Sequence, residues 1–200
     1  MKTSLSFFLL IALIGTSGIV SLNGCKKGDE DPFISLRSRK ARMAGEWKLS
    51  SGKSVEKYTD IQNSVTYTTS TEYNGSTATE TFTMGSMTST DTYSFTVQLN
   101  IKKDGTFTMV ETDDGVVTNI SGTWDFSMGT GKNLKKKEQL LLYYNNASNN
   151  TYNYTSTGYI QPMVYNIRRL ANKELILDFD YTATSPSSTE ELDSEWTYTQ

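Results

Sequence analysis

The chain contains no histidine and only one cysteine, Cys25. Without an imidazole, neither a Ser-His-Asp triad nor a Cys-His pair can be assembled. The usual zinc and iron ligand sets go with it, and a lone thiol builds no disulfide framework. Positive charge is also in short supply. Nineteen Lys and Arg stand against 22 Asp and Glu, a net charge of −3 with a pI near 5.1. That balance speaks against a nucleic-acid-binding surface. Charged residues make up only 20% of the chain, and Thr, Ser, Tyr and Asn fill the space they leave. Thr and Tyr fit a pleated surface and lose rotamer freedom in a helix, so the composition favours strands. At 200 residues there is enough chain for one sizeable core without covalent staples.

The first stretch reads as an address. Lys2 precedes an apolar run over residues 5–14 that includes Phe7, Phe8, Leu9, Leu10 and Ile11, and Gly15, Ser17 and Gly18 follow. This is the pattern of a secretory signal peptide, interrupted too early to be a membrane span. It ends in Leu22-Asn23-Gly24-Cys25, which resembles the bacterial lipobox. That resemblance implies cleavage before Cys25 and acylation of its thiol; the alternative is a plain signal peptide beside an incidental Cys. Loss of residues 1–24 removes Lys2 and no acid, leaving 18 basic and 22 acidic residues and a net charge of −4. Anchored in this way, the body of the protein stays in water while the lipid holds it to the membrane. Residues 25–32, with Lys26, Lys27, Asp29, Glu30, Asp31 and Pro32, read as a flexible tether. The acidic cluster in it resembles the surface-export signal of Bacteroidetes lipoproteins, with an ordinary solvated linker as the alternative. The expected organisation is a signal peptide over 1–24, a lipidated tether over 25–32 and one domain over 33–200. The expected location is the outer membrane of a bacterial envelope.

Residues 33–44 place Phe33, Leu36 and Met43 at helical spacing, with Arg37, Arg39, Lys40 and Arg42 among them. The two readings are a short helix that closes one end of the domain and a basic segment that meets anionic headgroups or a partner. Strict alternation then takes over. Tyr93, Phe95, Val97, Leu99 and Ile101 are apolar, with polar residues between them. Asp104-Gly105 and Asp113-Asp114-Gly115 mark hairpin turns, and Thr118, Ile120, Gly122, Trp124 and Phe126 fall on one face of a later strand. Further strands are expected over 140–144, 159–170, 174–181 and 192–198, and Asn74-Gly75 signals another hairpin. Such short spacing leaves no room for parallel crossovers, so the strands pair sequentially and antiparallel. One-sided apolar faces on so many long strands require closure, and the expectation is an all-β, up-and-down barrel of eight to ten strands with a short N-terminal helix.

Gly45-Glu46-Trp47 directly after the basic segment is similar to the Gly-x-Trp signature of lipocalins. Together with Lys103-Asp104-Gly105-Thr106-Phe107 and Gly122-Thr123-Trp124-Asp125-Phe126, it resembles the lipocalin-like lipoproteins of Bacteroidetes from Cys25 to the end of the chain. The resemblance implies a barrel floored by Trp47 and a role in binding. It carries over no catalytic residue, and no counterpart of the later lipocalin motifs is present.

Candidate chemistry is sparse. Asp104, Asp113 and Asp114 offer oxygen ligands for calcium, but Asp-Gly is also ordinary hairpin composition. Glu190, Glu191, Asp193 and Glu195 offer carboxylates for glycoside hydrolysis, yet lack a second carboxylate region opposite. Lys135-Lys136-Lys137 reads as an exposed run. No catalytic residue, metal ligand or cofactor is assigned, and the chain is read as a non-enzyme. A barrel that carries a small apolar or amphipathic molecule would line its cavity with Tyr67, Tyr93, Phe95, Trp124 and Tyr165. Residues 145–158 read as a long loop beside the mouth, where Tyr152 and Tyr154 would meet the ligand. The alternative function is a structural lipoprotein with a filled barrel whose loops contact a protein or glycan of the envelope.

Overall fold

The computed structural model describes residues 37–128, 138–156 and 161–200. The signal peptide, Cys25, the tether and Lys135-Lys136-Lys137 therefore lie outside the described residues. In chain order the elements are α1 (Arg39–Met43), β1 (Gly45–Asp60), β2 (Val65–Tyr73), β3 (Thr77–Met84), β4 (Met87–Ile101), β5 (Thr106–Asp113), β6 (Val116–Met128), β7 (Glu138–Ser148), β8 (Asn153–Thr155), β9 (Met163–Leu170), β10 (Glu174–Thr184) and β11 (Ser188–Thr199). All the strand pairs are antiparallel. The order β6-β5-β4-β3-β2-β1-β11-β10-β9-β7 closes through β6–β7, giving a ten-stranded meander barrel with β8 as an extra strand.

The ring changes its strand number along its axis. Near the start of β1, residues 45–48 pair directly with 98–101 of β4, so the barrel there is eight strands around. Farther along β1 the β2–β3 hairpin inserts between the two and widens the ring to ten. Its turn is the Asn74-Gly75 signal read from sequence, with Gly75 at φ +91° and the Asn74 carboxamide accepting from the Thr77 N–H at 3.0 Å. A second asymmetry follows from strand length. β4 meets β5 only from Phe95 onward, and β10 meets β9 only over residues 175–178. The rest of β4 and β10, with β1, β2, β3 and β11, rises as a flared wall above the closed part.

The narrow end is packed and covered. Trp47, Phe107, Met43, Leu99, Ile101, Leu140, Ile167, Leu170 and Leu175 are almost fully buried. α1 lies across this end. Ser38 caps it, its hydroxyl accepting from the Ala41 N–H at 3.2 Å. The Trp47 indole donates to the Met43 carbonyl at 2.8 Å, and the buried Arg42 donates to the Leu170 carbonyl. Lys40 sits 5.8 Å from the Trp124 ring centroid. The basic side chains of α1 are thus used in closing the barrel, which answers to the first of the two readings of this segment.

Residues 145–148, expected to open a loop, instead continue β7. Asn146 pairs with Ser121 and Ala147 with Ile120, after a bulge that lets the chain follow β6. Asn has poor strand propensity, but an unpaired edge of β6 supplies the ladder, and tertiary context overrides the propensity. The chain then turns tightly, the Asn149 carboxamide accepting from the N–H groups of Thr151 and Tyr152, and returns as β8. Of the strand expected over 159–170, the first two residues lie outside the described residues and β9 spans Met163–Leu170.

Candidate functional site

Above the packed end the interior is hollow. A cavity of about 260 Å³ is bounded by Val97, Leu99, Met109, Ile120, Leu142 and Leu177, with Glu111, Tyr144, Tyr165, Trp196 and Tyr198 supplying its polar and aromatic parts. Strand alternation puts these together. Glu111 is in phase with Phe107 and Met109 on β5 and sits opposite Val97 on β4. Tyr198 and Trp196 are in phase on β11, opposite Leu175 and Leu177. Gly122 permits the closeness of β6 to β7, since a Cβ there would lie 1.8 Å from the Tyr143 carbonyl oxygen and 2.9 Å from the Phe107 ring.

The polar groups in the cavity are largely screened from bulk water. The Tyr144 and Tyr165 hydroxyls are 3.4 Å apart. Burial raises the pKa of both phenols, and of Tyr198, above the ordinary value, and the nearby Glu111 charge adds to the effect on all three. Glu111 is itself pushed up, first by burial and then by Asp113. Tyr73 is pushed up to about 12, mainly by burial, with the charges of Glu80 and Glu111 contributing. An aromatic layer roofs one side: Tyr73 stacks on Trp196 at 4.8 Å and tilts against Phe95 at 4.9 Å.

Of the residues expected to line a site, Tyr165 borders the cavity, and Phe95 and Tyr93 pack in the layer around it. Trp124 belongs to the covered end instead. Its indole donates to the Lys102 carbonyl at 2.8 Å, and its ring meets Phe126 edge-on. Tyr67 lies on the flared wall, stacked on Tyr58 at 4.8 Å and tilted on Phe82 at 5.8 Å. Tyr152 and Tyr154 are exposed on the β7–β8 hairpin, at the end of the barrel away from α1, and do not touch the cavity. Glu111, Tyr144, Trp196 and Tyr198 were not anticipated. Glu111 carried a usable signal, because it is an acid at the third step of an apolar alternation that begins at Phe107.

The aspartates of the turns are engaged locally. The Asp104 carboxylate accepts from the Thr106 N–H at 2.9 Å and its hydroxyl at 2.7 Å, which holds it below the usual carboxylate range. Asp114 and Gly115 both have positive φ, as a two-residue hairpin turn demands. Among the described residues no cluster of three metal-ligating side chains occurs. Of the C-terminal acids, Glu190 and Glu191 point to opposite faces. Glu191 and Glu195 belong to a shallow depression of about 760 Å³ on the outer surface, where Lys57 pairs with Glu191 and Arg168 with Glu195. That depression is larger than the interior cavity and is bordered mainly by charged side chains on the outside of the barrel. No family model, curated protein or solved structure matches the chain.

Proposed function

We propose that the protein is a lipocalin-like lipoprotein, tethered to the outer membrane through Cys25, whose barrel holds a small amphipathic molecule. The observation that carries the reading is the division of the barrel interior: one end is packed solid and covered by α1, the other holds a partly open cavity with apolar walls and a few converging polar groups. A barrel kept only for stability has no need of a hollow, and unfilled space in a core costs stability. The lipobox-like Leu22-Asn23-Gly24-Cys25 and the polar tether support the anchoring. Native mass spectrometry of protein extracted from its own envelope tests both parts. The expected result is a mass increment for acylation at Cys25 and a retained small molecule. An unmodified Cys25 contradicts the anchor, and a protein that never retains a ligand contradicts the carrier.

A contact role for the rim is favoured by a separate observation. Ile61, Val65, Met87, Val116, Val117, Tyr152 and Tyr154 are exposed apolar or aromatic residues, and all sit at turns of the open end. Apolar groups at the tips of the flared wall and at the lower turns opposite it suit a partner of the envelope that receives or delivers the ligand.

A further inference from the structure

The strand register assigns a sign to the open half of the barrel. Gly52 of β1 lies opposite both Tyr73 and Trp196, so the inward face of β1 continues through Glu56, and Glu190 of β11 lies opposite Tyr58 on that same face. Glu80 pairs with Asp91 two places above the Ala78–Tyr93 pair. Asp113 lies opposite Phe95, and Glu111 opposite Val97. Glu56, Glu80, Asp91, Glu111, Asp113 and Glu190 therefore all face inward. The tyrosines report the same arrangement: charges on Glu80, Asp113 and Asp91 bear on Tyr93, and those on Glu56 and Glu190 bear on Tyr67. Among the described strand residues no Lys or Arg shares this face. Lys48, Lys53 and Lys57 point outward, and the buried Arg39 and Arg42 belong to α1 at the opposite end.

Acids gathered around a mouth need not be a site, but the cavity beneath them is lined by polar groups that the protein itself does not pair. Tyr198 is 7% exposed and borders the cavity, and its hydroxyl has no hydrogen-bond partner among the described residues. Glu111 reaches into the same space with no cation beside it to offset its burial. A half-buried carboxylate and a phenol with no protein partner both leave hydrogen-bonding capacity open to a donor that enters the cavity. Trp196, Tyr144 and Tyr165 line the same cavity, and aromatic rings are the apolar groups best suited to lie against a cation.

We propose that the cavity takes a small cationic amphiphile, an organic amine with an apolar body, with Glu111 as its counter-ion and the Tyr198 hydroxyl as an acceptor of its N–H. This rests on the reading of the barrel as a carrier and adds the chemical class of what it carries. The inward acids of the wall steer the cation toward the mouth and repel anions. By comparison with a 150 Å³ cavity that holds benzene, about 260 Å³ accommodates roughly ten non-hydrogen atoms.

The test uses three water-soluble probes of that size: 2-phenylethylammonium, 2-phenylethanol and phenylacetate. Each is titrated calorimetrically at neutral pH into the lipid-anchored protein in detergent, with protein-free micelles as the blank. The ammonium should bind at least about tenfold more tightly than the alcohol, as a charge-assisted hydrogen bond requires, and phenylacetate should not bind. Glu111→Gln should erase the preference for the amine, while Glu72→Gln, which removes an acid from the outer face, should preserve it. Tyr198→Phe supplies a second variant with the core shape kept, and it should weaken the amine more than the alcohol. Equal binding of amine and alcohol, or a preference that survives Glu111→Gln, overturns the inference and leaves the carrier reading standing. No binding of any probe to the folded protein counts against both.

Discussion

The two ends of this barrel are built from the same alternating strands but filled by opposite rules. Toward α1, inward positions are Leu, Ile, Phe, Met and Trp, almost fully buried and tightly packed. Toward the mouth the inward positions on the same strands become Tyr, Thr, Ser, Glu and Asp. β4 shows the change within one strand: Ile101, Leu99, Val97 and Phe95 are buried, then come Tyr93 and Asp91. β11 runs likewise from Tyr198 and Trp196 to Ser194, Leu192 and Glu190. Stability is concentrated at one end, which frees the other to hold groups that disfavour folding, among them Glu111 in its hollow.

The comparison breaks most visibly at the covered end. Trp47→Ala removes a fully buried ring and its bond to the Met43 carbonyl, and should cost about 3–5 kcal/mol. Trp196→Ala, at the edge of the cavity, should cost less, because the ring already lacks neighbours on one side. Urea unfolding of the two variants gives the ordering, and a larger loss at Trp196 would invert the assignment of packed and hollow ends. Gly122→Ala forces a methyl against the Tyr143 carbonyl and should destabilise by about 1–3 kcal/mol, with the β6–β7 seam losing amide-exchange protection first. Protection lost elsewhere would place the strain wrongly.

Glu111→Gln should act in the opposite direction. Burial raises the carboxyl above its ordinary 4.5, so ionised Glu111 opposes folding. A group with a raised folded-state value contributes its full stability below the unfolded value and loses it as pH rises through the folded one. The variant should therefore be more stable than the parent at neutral pH, with the gap closing as pH falls below about 4.5. Midpoints of urea unfolding across pH 3–8 check the sign; a gap that stays constant with pH would remove Glu111 from the interior. The smallest effect belongs to the rim. Replacing Tyr152 and Tyr154 with Ser should change stability by less than about 0.5 kcal/mol, since both are about half exposed. A larger loss would mean that the hairpin is packed rather than presented.

Much of the fold was legible because alternation and turn chemistry agree with each other. Phe95 through Ile101, Thr118 through Phe126 and Leu175 through Phe179 each describe one face, and the Asp-Gly and Asn-Gly pairs fall at turns. Trp47 as the floor was implied by the resemblance of Gly45-Glu46-Trp47 to a Gly-x-Trp signature, not by composition or alternation. What escaped depends on partners distant in sequence. Asn145 and Asn146 become strand because β6 offers an edge, and no local pattern carries that information. Trp124 reads from sequence as a lining residue because alternation gives its face but not its height along the barrel. The site itself was half legible: Tyr165 was anticipated, while Glu111 and Tyr198 were overlooked because an acid and a terminal tyrosine read as surface until the register places them inside.

The most direct test of the divided interior is quenching of tryptophan fluorescence by acrylamide, a small neutral molecule able to enter a cavity but not a packed core. Trp47 and Trp124 occupy the covered end, and Trp196 borders the hollow. Two emitting populations are expected, one readily quenched and one protected, with Trp196→Phe abolishing the quenched population and Trp47→Phe leaving it in place. If Trp47→Phe removed the quenched population and Trp196→Phe did not, the hollow would lie at the other end of the barrel and the account would be wrong.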